Sequence, residues 1–177
     1  MTTEVAAPPR KSWLQSFFLG RNPRFTLVRV LVLILTTFVL FRFVLVPIEV
    51  VGVSMEPSFV EGQIRLVSKR AYLQAKPQRG DVVAVRMKSE RVVLLKRIIG
   101  LPGERVQFLK KKILINGEPL EEPYVKPNVH PSWSERGWAM IIPADCYLVV
   151  GDNRSMRFED HFRYLAGRDE IIGKVVY

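Results

Sequence analysis

The longest apolar stretch of the chain lies near the amino terminus and covers residues 26–46. As an α-helix these 21 residues would extend about 31 Å, which matches a hydrocarbon core of about 30 Å. The two cations of the stretch, Arg29 and Arg42, lie near its ends, where long side chains reach lipid headgroups. The pattern therefore predicts one transmembrane helix.

Beyond Pro47 the apolar residues form short runs separated by glycine, proline and charged residues, without sustained helical periodicity. This pattern is typical of β-strands. Asn116-Gly117, two residues tolerant of positive φ, predicts a tight turn. We expect a mainly β domain with strands at residues 48–51, 63–67, 81–86, 92–99, 105–109, 112–115, 147–150 and 171–177.

Two stretches of this domain do not fit a strand. Residues 123–137 contain three prolines among polar residues, which predicts a long excursion that is not a central strand. Residues 155–164 carry a weak helical pattern and predict a turn or a short helix. The expected organisation is a basic segment (1–25), a transmembrane anchor (26–46) and a β domain (47–177) with an inserted β lobe at about 105–145.

The net charge of +10 is distributed unevenly. Residues 1–47 carry six basic side chains against one acidic, whereas residues 48–177 carry 21 basic against 16 acidic. Basic residues beside an apolar span are retained in the cytoplasm and attract anionic lipid. We therefore expect a cytoplasmic amino terminus, a lipid membrane as partner, and a β domain on the periplasmic or extracellular face.

Two other interpretations of these features are weaker. A cleaved secretory signal would start earlier and end in small residues, so a retained anchor is favoured. A nucleic-acid partner would require a basic face with exposed aromatic residues. The cluster Lys110-Lys111-Lys112 is instead typical of a solvated hairpin, and we expect no nucleic acid.

The chain contains one cysteine, Cys146, and two histidines, His130 and His161. A single cysteine excludes an intramolecular disulfide, and its apolar surroundings predict a packed thiol. Isolated histidines without cysteine partners argue against a zinc site. We expect neither a metal nor another cofactor.

A serine in an unusual setting follows the apolar stretch: Ser54 lies between flexible Gly52 and rigid Pro57. A serine hydroxyl is a poor nucleophile until a nearby base removes its proton. Neither histidine has the sequence setting of such a base. Serines in turns of this kind are more often hydrogen-bonding loop residues, and the motif alone leaves both interpretations open.

Lys96 is a candidate for the base. Strand alternation places Lys96 and Arg97 on opposite faces of the apolar run 92–99, so one of the two cations must lie on an apolar face. Burial disfavours the ammonium form and lowers the pKa of a lysine, whereas arginine stays charged. Lys96 is either a buried neutral base or a strand-edge lysine that reaches solvent, and the spacing favours neither.

Four blocks of the chain carry a family resemblance: Gly52-Val-Ser54-Met-Glu-Pro-Ser58, Arg79-Gly-Asp81-Val, Leu95-Lys96-Arg97-Ile-Ile-Gly-Leu-Pro-Gly-Glu104 and Val150-Gly-Asp-Asn-Arg154. In this order behind a membrane anchor, they resemble the type I signal peptidases. The resemblance covers residues 43–177. Each block is weak alone, but the four together are highly specific, and they imply a β-rich catalytic domain of the signal-peptidase type.

The resemblance also implies a Ser/Lys dyad. Ser54 attacks the peptide carbonyl, and Lys96 takes its proton and later serves the leaving amine. The Ser54 backbone N–H holds part of the oxyanion. Some family members add a hydroxyl two residues before the nucleophile, but Gly52 stands there in this chain. A second oxyanion donor is thus unassigned, and losing one costs about 2.7–4 kcal/mol if nothing replaces it.

The chain departs from the family after Gly-Asp-Asn-Arg. Many members continue with Ser-x-Asp-x-Arg, whose serine orients the lysine, and this chain lacks that stretch. Ser155 is our candidate for orienting Lys96. Glu159 or Asp160 with Arg163 is the candidate for a supporting ion pair.

The remaining motif residues receive supporting roles. We expect structural ion pairs between Asp81 and Arg97 and between Asp152 and Arg154, and a positive φ at Asn153 in a tight turn. Substrate is expected to contact the apolar residues around the serine and the turn proline: Val51, Val53, Met55 and Pro57.

The function that the resemblance implies is removal of signal peptides from exported preproteins, after small residues, by a membrane-anchored serine endopeptidase. An extended substrate would pair with an exposed strand edge. A processing peptidase dedicated to one client, such as a pilin or conjugation protein, and a non-catalytic membrane-tethered β module are the alternatives. Self-cleaving repressors of the SOS response use a related dyad, but they carry a DNA-binding domain where this chain has an anchor.

Overall fold

The computed structural model describes residues 23–86, 93–109, 112–127, 129, 137–156 and 165–176. The chain separates into two units, Met1–Arg42 and Phe43–Tyr177. An α-helix, α1, covers Pro23–Val39. Eleven strands follow in the described residues: β1 Leu45–Glu49, β2 Ile64–Ser68, β3 Val82–Arg86, β4 Val93–Gly100, β5 Arg105–Leu109, β6 Lys112–Ile115, β7 Glu118–Pro119, β8 Trp138–Ile141, β9 Cys146–Val150, β10 Leu165–Gly167 and β11 Ile171–Val176.

Helix α1 is apolar on every side and continues as a π-helical segment, Leu40–Val44. The span Arg24–Val44 is long and apolar enough to cross a membrane, and none of its most apolar window is buried inside the protein. A helix without a polar face suits a lipid environment. The helical span, including the π-helical segment, ends at Val44, two residues before the predicted limit of the anchor, because residues 45 and 46 already pair with β2.

The second unit contains a seven-stranded antiparallel sheet in the order β1-β2-β11-β3-β4-β9-β10. Strand β4 lies between β3 and β9, and its residues from Leu95 to Gly100 are buried whichever face they occupy. A strand flanked on both sides and covered on both faces holds its side chains in fixed positions. The sheet thus determines where Lys96 and Arg97 lie.

A four-stranded sheet in the order β7-β6-β5-β8 is inserted in the chain between β4 and β9. The hairpin from β6 to β7 turns at Asn116 and Gly117, with φ values of 53° and 94°. The predicted tight turn is confirmed. On β8, Trp138 packs against Phe108 of β5 with ring centroids 5.5 Å apart.

The core consists of two apolar clusters in the larger sheet and a third that joins the inserted lobe to β4 and β9. Val82 and Ala84 of β3 belong to one cluster, and Val83 and Val85 belong to another, as strand alternation requires. The first of these clusters also contains Met55, so the segment that carries Ser54 is attached to the core.

The predicted mainly β fold with an amino-terminal apolar helix is confirmed. Strands β5 and β6 match their predicted limits, but the first strand was misplaced, because it begins at Leu45 and includes Pro47. A proline is tolerated there since β1 is an edge strand of the sheet. Strands β7 and β10 were not predicted, because two or three residues are too few for a recognisable alternation. Strand β8 was not predicted either, and it directly follows the stretch that was predicted as a long excursion.

Candidate active site

Ser54 lies in a loop that is anchored at its far end. This segment, residues 50–59, is called the serine loop below. Met55 and Phe59 are each 1% exposed, and the Phe59 N–H donates to the Met55 carbonyl at 3.0 Å. Ser54 itself is half-buried. The loop therefore presents the serine at the surface while its neighbours hold it to the core.

Gly52 has a φ of +80°, a conformation that residues with a side chain rarely adopt. Its N–H donates to the Glu61 carboxylate at 2.9 Å. Nothing lies within 4 Å of the position that a Cβ would occupy, so space is not what requires glycine here. The backbone conformation of the loop therefore favours glycine at position 52.

Lys96 and Arg97 occupy consecutive positions of β4 and are both buried, at 4% and 7% exposure. Lys96 is opposite Val83 and Arg97 is opposite Val82, and both valines belong to the core. Burial of two adjacent cations is costly unless each has polar partners. The structure places Lys96 in the interior rather than at a solvent-facing strand edge.

Gly151, directly after β9, brings Ser54 and Lys96 together. A Cβ on Gly151 would overlap the Ser54 carbonyl oxygen and would lie 3.4 Å from Lys96 Nζ. The Ser54 carbonyl also accepts the Asn153 N–H at 3.0 Å, and the Asn153 side-chain amide donates to the Val53 carbonyl at 3.0 Å. The turn 151–154 thus fixes the backbone of the serine loop beside the lysine.

The role of Asn153 differs from the predicted one. We expected a positive φ, but the non-glycine residues with positive φ in the described chain are Asn116 and Asp145. Asn153 contributes through hydrogen bonds to the serine loop instead. A side-chain amide offers both donors and an acceptor, so it can connect two loops that lack a shared strand.

Arg97 is paired with Asp152, not with Asp81 as the sequence suggested. Its Nε and Nη2 donate to the two Asp152 oxygens at 2.8 and 2.6 Å, and its Nη1 donates to the Gly80 carbonyl at 2.8 Å. The Ser58 hydroxyl donates to the same carboxylate. This two-point ion pair therefore joins β4, the turn after β9 and the serine loop.

Asp81 binds Lys174 instead, at 2.6 Å, and accepts a hydrogen bond from the Tyr72 hydroxyl at 2.8 Å. The predicted Asp81–Arg97 pair was wrong because β11, which carries Lys174, lies beside β3 in the sheet. Burial raises the pKa of Asp81. Hydrogen bonds from Lys174, the Gln78 N–H and Tyr72 lower it by more than burial raises it, so the pKa in the folded protein is below its ordinary value.

The predicted Asp152–Arg154 pair was also wrong. Arg154 donates from both terminal nitrogens to Glu122, at 3.0 and 2.6 Å, and from Nε to the Gly151 carbonyl at 2.9 Å. The ring of Tyr124 lies 4.0 Å from the Arg97 guanidinium carbon. Neither Glu122 nor Tyr124 was predicted as a partner, because they lie where the proline-rich excursion begins and no sequence pattern there indicates a contact.

Ser155 does not take the predicted position beside Lys96. Its hydroxyl is exposed and donates to Asn153 Oδ1, in place of the expected bond to the lysine. The other candidates for that region, Glu159, Asp160 and Arg163, lie outside the described residues. His130 and His161 also lie outside them.

An apolar cleft of about 330 Å³ opens beside the serine loop. Of the four residues predicted to contact substrate, Val51 and Met55 line it, whereas Val53 and Pro57 do not. Val53 is nevertheless 45% exposed, and Pro57 follows a cis peptide bond. The full lining is Ile48, Glu49, Val50, Val51, Gly52, Ser54, Met55, Val93, Leu94 and Leu95.

A second pocket, of about 280 Å³, adjoins the same loop and is polar. Its lining is Glu56, Lys126, Val129, Asp152, Asn153, Arg154 and Ser155. Within the described ranges, no group of three histidine, cysteine or acidic side chains is arranged to hold a metal ion. The described groups near Ser54 include its own hydroxyl, the buried Lys96 amine and the backbone amides of the serine loop.

The chain is similar in sequence to proteins of one known family. The family model described as "Signal peptidase, peptidase S26" matches residues 24–177. Signal peptidase I of Leptolyngbya laminosa is 37% identical over 131 residues, which is 70% of this chain and 63% of that protein. "Probable signal peptidase I-2" of Synechocystis is 30% identical over 174 residues, 95% of this chain and 73% of that protein.

A solved structure gives a further comparison. The crystal structure of a signal peptidase I from Enterococcus faecalis matches with a TM-score of 0.47 and 28% sequence identity. The match covers 57% of this chain and 97% of that one. The family resemblance carried by the four sequence blocks is confirmed by the family model and by the Synechocystis relative.

Proposed function

We propose that this chain, which belongs to the peptidase S26 family of signal peptidases, is a membrane-anchored serine endopeptidase that removes signal peptides from exported proteins. One observation carries the proposal. The Ser54 carbonyl and the buried Lys96 amine pack against the same glycine, Gly151, beside an apolar cleft. A serine held next to a buried lysine is the arrangement that Ser/Lys catalysis needs.

In the proposed mechanism Ser54 Oγ attacks the scissile carbonyl carbon while neutral Lys96 takes the hydroxyl proton. The carbonyl π electrons move to oxygen, and the Ser54 backbone N–H stabilises the resulting oxyanion. Collapse breaks the carbon–nitrogen bond, and the Lys96 ammonium gives its proton to the leaving amine. Lys96 then deprotonates a water that hydrolyses the acyl-enzyme, and Ser54 regains its proton.

The apolar cleft supports binding of an extended segment ahead of the scissile bond. It runs between residues 48–52, which include the end of β1, and residues 93–95 of β4. A substrate strand between these segments can form backbone hydrogen bonds that do not depend on its sequence. A cleft of about 330 Å³ has room for several side chains of a bound peptide. Cleavage after small residues is proposed from the family to which the chain belongs.

The anchor supports a location at the membrane, and the charge pattern supports an orientation. The helix from Arg24 to Val44 is long enough to span the bilayer, and basic residues precede it. The positive-inside rule then places the amino terminus in the cytoplasm and residues 47–177 across the membrane. Exported preproteins are cleaved on that side.

The test uses the full chain in detergent with a radiolabelled preprotein. Ser54→Ala and Lys96→Ala each abolish cleavage, whereas Lys112→Ala, an exposed lysine on the inserted lobe, retains it. Sequencing the new amino terminus of the product identifies the cut. Cleavage that persists in either dyad variant rejects the mechanism, and cleavage of one precursor among several unrelated ones indicates a dedicated client.

A further inference from the structure

Two residues of the inserted lobe contact the candidate active site from outside the four sequence blocks. Glu122 and Tyr124, called the strap below, follow β7 in the chain. Glu122 forms a two-point ion pair with Arg154, and the Tyr124 ring stacks on Arg97. The Tyr124 hydroxyl donates to Glu122 at 2.8 Å, so the two strap residues also hold each other.

The strap compensates charge that the interior would otherwise carry. The Arg154 side chain is 1% exposed and that of Arg97 is 9% exposed. Asp152 neutralises Arg97, and Glu122 neutralises Arg154. A buried guanidinium without its carboxylate is strongly unfavourable, so loss of Glu122 would force Arg154 to move or to draw in water.

A chain of short contacts connects the strap to Ser54 and Lys96. Arg154 Nε donates to the Gly151 carbonyl at 2.9 Å, and Gly151 abuts both the Ser54 carbonyl and Lys96 Nζ. Because Gly151 has no room for even one added carbon, a small shift of Arg154 is transmitted to the serine loop.

The Tyr124 hydroxyl remains a hydrogen-bond donor to Glu122 at neutral pH. Burial raises the pKa of Tyr124, and the Glu122 carboxylate raises it further, so the phenol stays protonated and remains a donor. Its ring meanwhile limits the positions open to the Arg97 guanidinium. Each strap residue thus restrains one arginine. Arg154 belongs to the turn after β9, and Arg97 binds that turn from β4.

We infer that Glu122 and Tyr124 are positioning residues that keep the turn 151–154 seated against Ser54 and Lys96, so that the inserted lobe controls the geometry of the dyad. The inference rests on the proposed peptidase activity. Neither residue contacts the apolar cleft, so the strap acts on the chemical step and not on substrate affinity.

The experiment compares Glu122→Gln with Glu121→Gln in the full chain, in detergent, on a signal-peptide substrate. Glu121 is an exposed neighbour of the same charge and serves as the matched control. Misplacement of reacting groups by about 1 Å costs roughly 10²-fold in rate, so kcat of Glu122→Gln falls by about that factor with KM unchanged. The rate of Ser54 acylation by a covalent inhibitor falls in parallel.

Two further variants keep the test decisive. Glu122→Asp retains the carboxylate and recovers part of the lost kcat. Tyr124→Phe removes one hydrogen bond, keeps the ring, and lowers kcat roughly threefold to tenfold without unfolding the protein. If Glu122→Gln fails to fold, the kcat of Tyr124→Phe tests the positioning role on its own.

The strap inference is overturned if Tyr124→Phe and folded Glu122→Gln keep the kcat of Glu121→Gln, or if only KM changes. Failure of the proposed function would be recognised separately, because the unaltered chain would then not cleave the substrate, or Ser54→Ala would cleave it equally well. A lower melting temperature with normal kcat would assign the strap to stability alone and would also reject the inference.

Discussion

The serine loop meets two unlike surfaces of the same domain. Toward the turn 151–154 its contacts are polar and directional: Asn153 binds two of its carbonyls, and Asp152 accepts its Ser58 hydroxyl. Toward the cleft the side chains are apolar and exposed, with Val51 of the loop at 80% and Val93 of β4 at 42% exposure. One surface holds the loop, and the other is open to a ligand.

This difference separates two tasks. Hydrogen bonds and two-point ion pairs fix distances to a few tenths of an ångström, whereas apolar contacts are non-directional and tolerate many side chains. The polar surface should therefore determine how fast a bound peptide reacts. The apolar cleft should determine which peptides bind. Substitutions on the two surfaces ought to have separable effects.

The largest effect is expected where the polar surface is most deeply buried. Asp152→Asn leaves the Arg97 guanidinium without its carboxylate, and the Asp152 side chain is 0% exposed. Breaking one partner of such a pair costs about 3–5 kcal/mol. Denaturant unfolding measures the loss, with the exposed Asp145→Asn as control. Equal stability of the two variants would show that the polar surface does not hold the loop.

Gly151→Ala tests the same surface with one added methyl group. The new Cβ overlaps the Ser54 carbonyl and presses on Lys96 Nζ, so the serine loop must move away from the lysine. We expect kcat to fall by about 10²-fold with little change in KM. Steady-state kinetics on a peptide substrate measures kcat and KM separately. A rise in KM with normal kcat would instead place Gly151 in substrate binding.

The sequence predicted this polar surface only in part. The resemblance carried by the four blocks predicted that Ser54, Lys96 and the turn after β9 lie in one site, whereas strand alternation alone left the position of Lys96 open. The partners of the cations were predicted wrongly. Asp81 and Arg97 belong to consecutive blocks, which suggested a pair. Ion pairing depends instead on which strands become neighbours, and β11 brings Lys174 to Asp81.

The strap could not be predicted from its own residues. Glu122 and Tyr124 reach the site from a different sheet, through a segment that follows a two-residue strand. No periodicity marks such a contact, because it arises from packing of the inserted lobe against the larger sheet. Gly52 shows the opposite case, since its positive φ makes glycine understandable once the loop conformation is known.

The cleft should respond differently from the polar surface. Val51→Ala removes two methyl groups that a bound peptide would cover, each worth about 0.8 kcal/mol, so kcat/KM falls roughly tenfold through KM. Stability changes by less than about 0.5 kcal/mol because the side chain is exposed. Leu73→Ala, an exposed residue outside the cleft, is the control. A drop in kcat instead would show that the cleft and the polar surface do not have separate effects.

The smallest effect is expected from a polar contact remote from the serine loop. The pKa of Asp81 is lower in the folded protein than its ordinary value of about 4. Its contribution to stability is therefore complete above that ordinary value and is lost as the pH falls through the lowered one. The Lys174 side chain is 41% exposed, and solvent screening keeps the contribution small. Asp81→Asn should flatten the acid limb of an unfolding curve while leaving cleavage at neutral pH unchanged. Loss of cleavage in this variant would show that the Asp81–Lys174 contact also contributes to the geometry of the active site.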